Sequence, residues 1–188
     1  YLALVFFQFL ITDTDKRQIR RAFGYYVAPA LLTEIERNAE RLKLGGEMRE
    51  LTVMFSDVRG FTPLSERLSP SRIVTLLNIL FSPLGQRIVT EMGTIDKFIG
   101  DAIMAFWNAP VDVPDHPRRA CAAALGMRAE LRELNARDAF AIKHAVGIGI
   151  ATGPALVGNL GLETRFDYSC IGDTVNIASR VEGACKSV

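Results

Sequence analysis

Two aspartates stand where short strands run out into loops. Leu51-Thr52-Val53-Met54-Phe55-Ser56-Asp57 alternates, placing Leu51, Val53, Phe55 and Asp57 on one face of a predicted strand. Thr94–Ile99 and Ala102–Trp107 are apolar runs separated only by Gly100-Asp101. A two-residue loop with Gly first predicts a type II′ hairpin, with Asp101 at its tip. Strand-to-loop junctions are where working residues concentrate. If the two strands are neighbours, their carboxylates can converge on a hard cation. Mg²⁺ is held by one or two carboxylates together with substrate phosphates. Val58-Arg59-Gly60-Phe61-Thr62 comes directly after Asp57, and its backbone N–H groups could cradle phosphate oxygens. Taken singly, each Asp is better explained as a turn residue.

Lys97 shares a strand face with Ile95 and Ile99, an odd neighbourhood for a strongly hydrated ammonium. It reads either as an edge-strand Lys that blocks aggregation or as a donor aimed at a ligand acceptor. Asn176 and Arg180 are spaced i, i+4, so one helix face carries both. Such a pair can bind a sugar oxygen and a phosphate, and the planar fork of Arg donates two hydrogen bonds to a phosphate at once. In isolation the pair reads as a solvated helix face.

Other candidates carry little. Gly147-x-Gly149-x-x-x-Gly153 misses the dinucleotide fingerprint by one residue. His116 and His144 are the only histidines and lie far apart, which favours structural or exposed roles. The three cysteines, 121, 170 and 185, include no Cys-x-x-Cys and read as small core residues in a reducing compartment.

The elements that must position these residues can be read from pattern. Ser69-Pro70 is an N-cap with Pro at the first helical position. Ile73, Val74, Leu77, Leu80, Phe81, Leu84 and Ile88 continue at helical spacing, Pro83 should kink the helix, and Gly93 closes it. Asp115 begins a second helix through Leu134. Ala145–Thr152 is a strand whose Gly147 and Gly149 allow another backbone to approach. Ala155–Val157 and Arg165–Ile171 read as two further strands, and Asp173 or Thr174 caps a last helix through Ala184. This order predicts an α+β fold, an antiparallel sheet with helices on one face.

The chain has 188 residues, 49% hydrophobic and 23% charged, with a net charge of +1. That excludes a disordered chain and argues against a nucleic-acid binder, whose basic footprint would show. Tyr1 to Ile11 carries no charge, and Lys16, Arg17, Arg20 and Arg21 come next. The run is too short to span alone; followed by a basic cluster it reads as the cytoplasmic exit of a membrane helix or as an amphipathic or buried N-terminal helix of a soluble protein, and the first reading is preferred. Residues 1–13 are expected to end such a helix, and 14–46 to form a helical connector broken by Gly45-Gly46. Residues 47–188 are expected to form the compact domain, on the cytoplasmic face of a membrane.

Three longer motifs contain these residues: Phe55-Ser56-Asp57-Val58-Arg59-Gly60-Phe61-Thr62, then Asp96-Lys97-Phe98-Ile99-Gly100-Asp101-Ala102-Ile103-Met104-Ala105-Phe106, then Gly172-Asp173-Thr174-Val175-Asn176-Ile177-Ala178-Ser179-Arg180. In this order they resemble the catalytic domain of class III nucleotidyl cyclases, in particular bacterial membrane-anchored adenylate cyclases. The resemblance implies a ferredoxin-like antiparallel sheet and a head-to-tail homodimer with active sites at the interface. It implies two Mg²⁺ (or Mn²⁺) ions per site on Asp57, Asp101 and the Val58 carbonyl, with Phe61 and Thr62 near the phosphates. Lys97 matches the adenine-selecting lysine, where guanylate cyclases carry Glu. Ser169 stands where animal-type enzymes have Asp, as in a bacterial subgroup that uses ATP. Asn176 and Arg180 match the pair that orients the ribose and stabilises the transition state. The implied reaction is ATP to 3′,5′-cyclic AMP and pyrophosphate. The rivals are a guanylate cyclase and a catalytically silent nucleotide-binding dimerisation module. The family's triphosphate-binding Lys has no match before Val188, so a C-terminal truncation is expected.

Overall fold

The computed structural model describes residues 44–137, 143–162 and 164–185. The chain divides after Leu42, and the unit Lys43–Val188 carries every described residue. The expectations for the membrane exit, for the connector up to residue 43 and for a C-terminal truncation lie outside the described residues.

The elements run β1 (Gly45–Val58), α1 (Phe61–Ser65), α2 (Pro70–Thr90), β2 (Thr94–Ile99), β3 (Ala102–Trp107), α3 (His116–Ala136), β4 (Val146–Leu162), β5 (Arg165–Ile171) and α4 (Asp173–Ala184). The strands form one antiparallel sheet in the order β2-β3-β1-β4-β5. Without β5 this is the βαββαβ succession and strand order of a ferredoxin-like fold.

The two central strands are longer than their patterns suggest. Gly45-Gly46 does not break the chain; it opens β1, opposite Asn159 and Gly158. A Cβ on Gly158 would lie 2.1 Å from the Gly45 carbonyl oxygen, so these glycines let two backbones close in. β4 likewise runs unbroken through Gly153-Pro154, where a turn between two strands was expected. Fourteen consecutive pairings with β1 override the local turn signal.

Layering also differs from the expectation of helices on one face. Met54, Ile103, Ala105 and Trp107 face α2 and α3, packing on Leu84, Ile88, Ala120, Ala123 and Met127. Leu51, Val53, Met104 and Phe106 face the other way, toward Ala178 of α4. The sheet is therefore covered on both sides. Packing buries Leu76, Leu80, Leu84 and Ile88 of α2, while Val74 is exposed. α2 continues past Pro83, and its left-handed closing residue is Met92 (φ 64), not Gly93. The Gly93 and Met92 amides donate to Ile88 O and Val89 O, a Schellman closure. Gly93 is required for another reason: a Cβ there would lie 2.7 Å from the Trp107 ring.

Gly172, rather than Asp173 or Thr174, caps α4, and the Thr174 hydroxyl donates to Pro154 O at 2.8 Å. This helix rests directly on β4. A Cβ on Gly149 would sit 2.2 Å from the Glu182 nitrogen and 2.3 Å from the Ala178 oxygen, both backbone atoms. The close backbone approach that the sequence allowed is found at Gly149, where α4 comes in; at Gly147 the space is filled by the Arg59 and Glu182 side chains. Gly149→Ala is accordingly expected to destabilise the fold by about 2 kcal/mol or more, as overpacking against immovable backbone does. Chemical denaturation checks it, and a wild-type midpoint would contradict this packing.

Candidate active site

The sequence-predicted site residues fall into three groups. In the first, β1 and β3 are neighbours with Asp57 opposite Ala102, so the two aspartates meet. The hairpin tip has Gly100 at φ 62, the left-handed start that a type II′ turn requires. The Asp101 carboxyl lies within hydrogen-bonding reach of Asp57 and accepts from the backbone amides of Val58 and of Asp101 itself. Burial, and then the negative charge of Asp57, push that carboxyl above its ordinary value. Two carboxyls pressed together, with the charge of Asp57 opposing ionisation of Asp101, form an arrangement that a divalent cation relieves. The donor set fits Mg²⁺ or Mn²⁺: hard oxygens, too few for an all-protein cage, with places left for substrate phosphates. Among the described residues no cluster of three or more His, Cys, Asp or Glu offers an alternative.

The adjoining loop is more committed than a free phosphate cradle. The Arg59 amide donates to Ala145 O at 2.8 Å, continuing the β1–β4 ladder. Its guanidinium pairs with Glu182 Oε1 at 3.0 Å and donates to Glu182 O at 3.3 Å. Gly147 leaves room for it, since a Cβ there would lie 1.6 Å from Arg59 Nη2. Phe61 packs on the cluster of Val58, Leu76, Leu80 and Leu131, and Thr62 is exposed.

The second group gathers on a residue that sequence pattern did not single out. A β-bulge between Ile95 and Lys97 makes Asp96 the extra residue of β2. Ile95 then packs toward α2, whereas Lys97 stands opposite Met104 on the α4 side. The expectation that Lys97 shares a face with Ile95 fails for this reason: the bulge breaks the period of two and re-aims the side chain. The Asp96 side chain is 0% exposed, and its Oδ1 lies 3.3 Å from Lys97 Nζ. Its Oδ2 accepts a 2.5 Å hydrogen bond from Ser169 Oγ. β2 and β5 are opposite edges of the sheet, so this contact requires the sheet to curl. The Phe106 and Tyr168 rings, 6.1 Å apart, mark the same curl. Burial raises the Asp96 carboxyl, against the Ser169 hydrogen bond and the Lys97 charge, which lower it.

The third group is Asn176 and Arg180, both exposed on α4. Arg180 Nε donates weakly, at 3.4 Å, to the Asn176 carbonyl. Among the described residues no hydrogen bond or ion pair links the Asn176 or Arg180 side chain to Asp96, Lys97, Ser169 or Asp101. Ile177 and Val181 beside them are 46% and 43% exposed.

The histidines have structural partners. His116 Nδ1 lies 2.6 Å from Thr52 Oγ1, and the main chain of His144 is held by the Asn135 side chain. Of the cysteines only Cys170 is a core residue, its thiol pushed up to about 12 by burial. Cys121 and Cys185 are exposed, contrary to expectation.

A family model described as "Adenylate and Guanylate cyclase catalytic domain" matches residues 46–187. "Adenylate cyclase 1" of Rhizobium meliloti (strain 1021) is 37% identical over 169 residues, which is 87% of this chain and 25% of that protein. Among solved structures, the guanylyl cyclase Cya2 is similar with a TM-score of 0.71 and 40% identity, over 75% of this chain and 73% of that one. The adenylyl cyclase CyaB from P. aeruginosa gives a TM-score of 0.70 and 37% identity, over 75% and 74%. The chain belongs to the adenylate and guanylate cyclase catalytic-domain family, and its antiparallel α+β sheet is the fold of those structures. It spans a quarter to a third of the length of the curated relatives it matches.

Proposed function

We propose that this domain is an adenylate cyclase, converting ATP to 3′,5′-cyclic AMP and pyrophosphate. Of the two solved structures, one is a guanylyl and the other an adenylyl cyclase, at nearly equal likeness. The base therefore has to be read from the chain's own residues. The observation that carries the reading is the pairing of Lys97 and Ser169 on Asp96. A lysine only donates, which suits adenine N1 and opposes the N1–H of guanine.

Asp57, Asp101 and the main chain of Val58 would hold the divalent ions. When bound, such ions neutralise triphosphate charge and acidify the ribose 3′-hydroxyl. The 3′-hydroxyl gives its proton to solvent, and its oxygen bonds to the α-phosphorus as the bond from that phosphorus to the α,β-bridging oxygen breaks and pyrophosphate leaves. Arg180 meets the charge that develops on the α-phosphate, and Asn176 orients the ribose. Phe61 holds the loop after Asp57 through its packing, and Thr62 faces the solvent side where the triphosphate would lie.

In one protomer the Asn176–Arg180 pair is exposed, with the apolar Ile177 and Val181 exposed beside it. That supports a twofold homodimer in which one subunit's α4 completes the other's carboxylate site. The apolar run and basic cluster of residues 1–21 support attachment to the cytoplasmic face of a membrane.

The test is direct. Purified protein supplied with ATP and Mg²⁺ or Mn²⁺ should yield cyclic AMP and pyrophosphate in equal amounts, and chelation should stop it. Cyclic GMP from GTP as the dominant product, or nucleotide binding with no product, would overturn the reading.

A further inference from the structure

The geometry points to Asp96 as the residue that sets the hydrogen-bonding polarity of the base pocket, making Ser169 an acceptor and holding Lys97 beside it. This rests on the adenylate reading and adds a residue to it.

A serine hydroxyl facing a purine is ambiguous by itself. It has one proton and two lone pairs, and it rotates to suit whichever partner arrives. At the 6-position adenine carries an amino group, a donor, and guanine carries a keto oxygen, an acceptor. A free Ser169 could satisfy either. Here its proton is committed. Ser169 Oγ donates to Asp96 Oδ2 at 2.5 Å, within the range of a charge-assisted O–H···O⁻ bond. What remains for a ligand is the oxygen's lone pairs, which accept from the adenine amino group and oppose the guanine keto group.

The other carboxylate oxygen completes the arrangement. Asp96 Oδ1 pairs with Lys97 Nζ at 3.3 Å. Lys97 is 41% exposed on its other side, so the ammonium is steadied from below and its donors are left for N1. One buried carboxylate thus reads both positions that distinguish the purines: an acceptor toward the 6-substituent and a donor toward N1. The β-bulge makes this possible. In a regular strand Asp96 and Lys97 would project to opposite faces, and one carboxylate could not serve both edges of the curled sheet. Asp96 is a positioning residue, acting through Ser169 and Lys97.

The experiment compares kcat/KM for ATP and GTP, in the full chain with Mn²⁺, for wild type, Asp96→Asn, Ser169→Ala and the double variant. Asp96→Asn ends the commitment of the hydroxyl proton, because an amide can either accept it or donate to the same oxygen. Its ATP:GTP preference should fall by about tenfold, through a raised KM for ATP and a gained GTP rate, with kcat for ATP changing less. Ser169→Ala should lose a similar share, and Asp96→Asn added to it should lower the preference by less than its effect alone. Wild-type preference in an Asp96→Asn protein that melts normally would overturn the proposal, as would fully additive losses. Should Asp96→Asn fail to fold, an undiminished preference in Ser169→Ala overturns it instead. A wild type that prefers GTP, or turns over neither nucleotide, defeats the adenylate reading itself, a result distinct from all of these.

Discussion

Asp57→Asn protein should fold like wild type and lose roughly 10³-fold or more of its ATP turnover, and Asp101→Asn should do the same. Each change keeps the side-chain volume and removes a charge where the proposed cation would sit. Stability should move the other way. The two carboxyls lie together, Asp101 is partly buried, and the charge of Asp57 opposes its ionisation. Removing one charge relieves that repulsion, so the variants should melt no lower than wild type. Loss of turnover without loss of stability separates a site role from a structural one. Turnover retained in folded Asp57→Asn protein would sink the metal assignment. The same variant tests the shared site. Asp57→Asn and Arg180→Ala homodimers should each be nearly inert. In a mixed dimer both lesions fall in one site and the other site is intact. Mixing should therefore restore activity, up to about half the wild-type value per heterodimer, with differential tags reporting heterodimer formation. Heterodimers that form and stay inactive would place the whole site within one subunit.

Lys97→Glu is expected to shift the ATP:GTP preference by a factor on the order of 10⁴, most of it lost ATP cyclisation. The carboxylate would face an acceptor, adenine N1, where an ammonium had donated. It would also stand beside Asp96, whose side chain is fully buried, so two like charges would share one pocket. That second effect limits any gain of GTP turnover, because the new Glu is pushed toward its protonated form. Asp96→Asn added to Lys97→Glu should accordingly recover GTP turnover. Competition assays with both nucleotides check this, and an unchanged preference in Lys97→Glu would mean that this lysine does not read the base.

Local pattern made much of this legible. The hairpin from Thr94 to Trp107, the strand Arg165–Ile171 and the helix ending at Ala184 stand where the residues placed them, because each is bounded by strong punctuation. The meeting of Asp57 with Asp101 came from assuming that their strands are neighbours. Non-local features were not legible. Gly45-Gly46 and Gly153-Pro154 carry turn signals, yet both lie in strands because a long partner pairs with them. Asp96 was hidden by its bulge: simple alternation puts it on the face opposite Lys97, and its partner Ser169 is 73 residues away. The Arg59–Glu182 pair spans 123 residues, and it shows in the sequence only as the missing side chain at Gly147.

The glycines beneath α4 have a consequence for how firmly Asn176 and Arg180 are presented. A helix seated on side chains can sink or rise as rotamers change, and its docking freezes torsions in the layer below. At Gly149 β4 offers α4 no side chain, and the two backbones touch. Little rotamer entropy is lost there on docking, and little rotamer freedom remains through which the helix could drift. The height of α4 above the sheet is set by covalent geometry, as stiff a reference as a protein has. The two exposed side chains thus extend from a fixed platform, and their positions vary only with their own torsions.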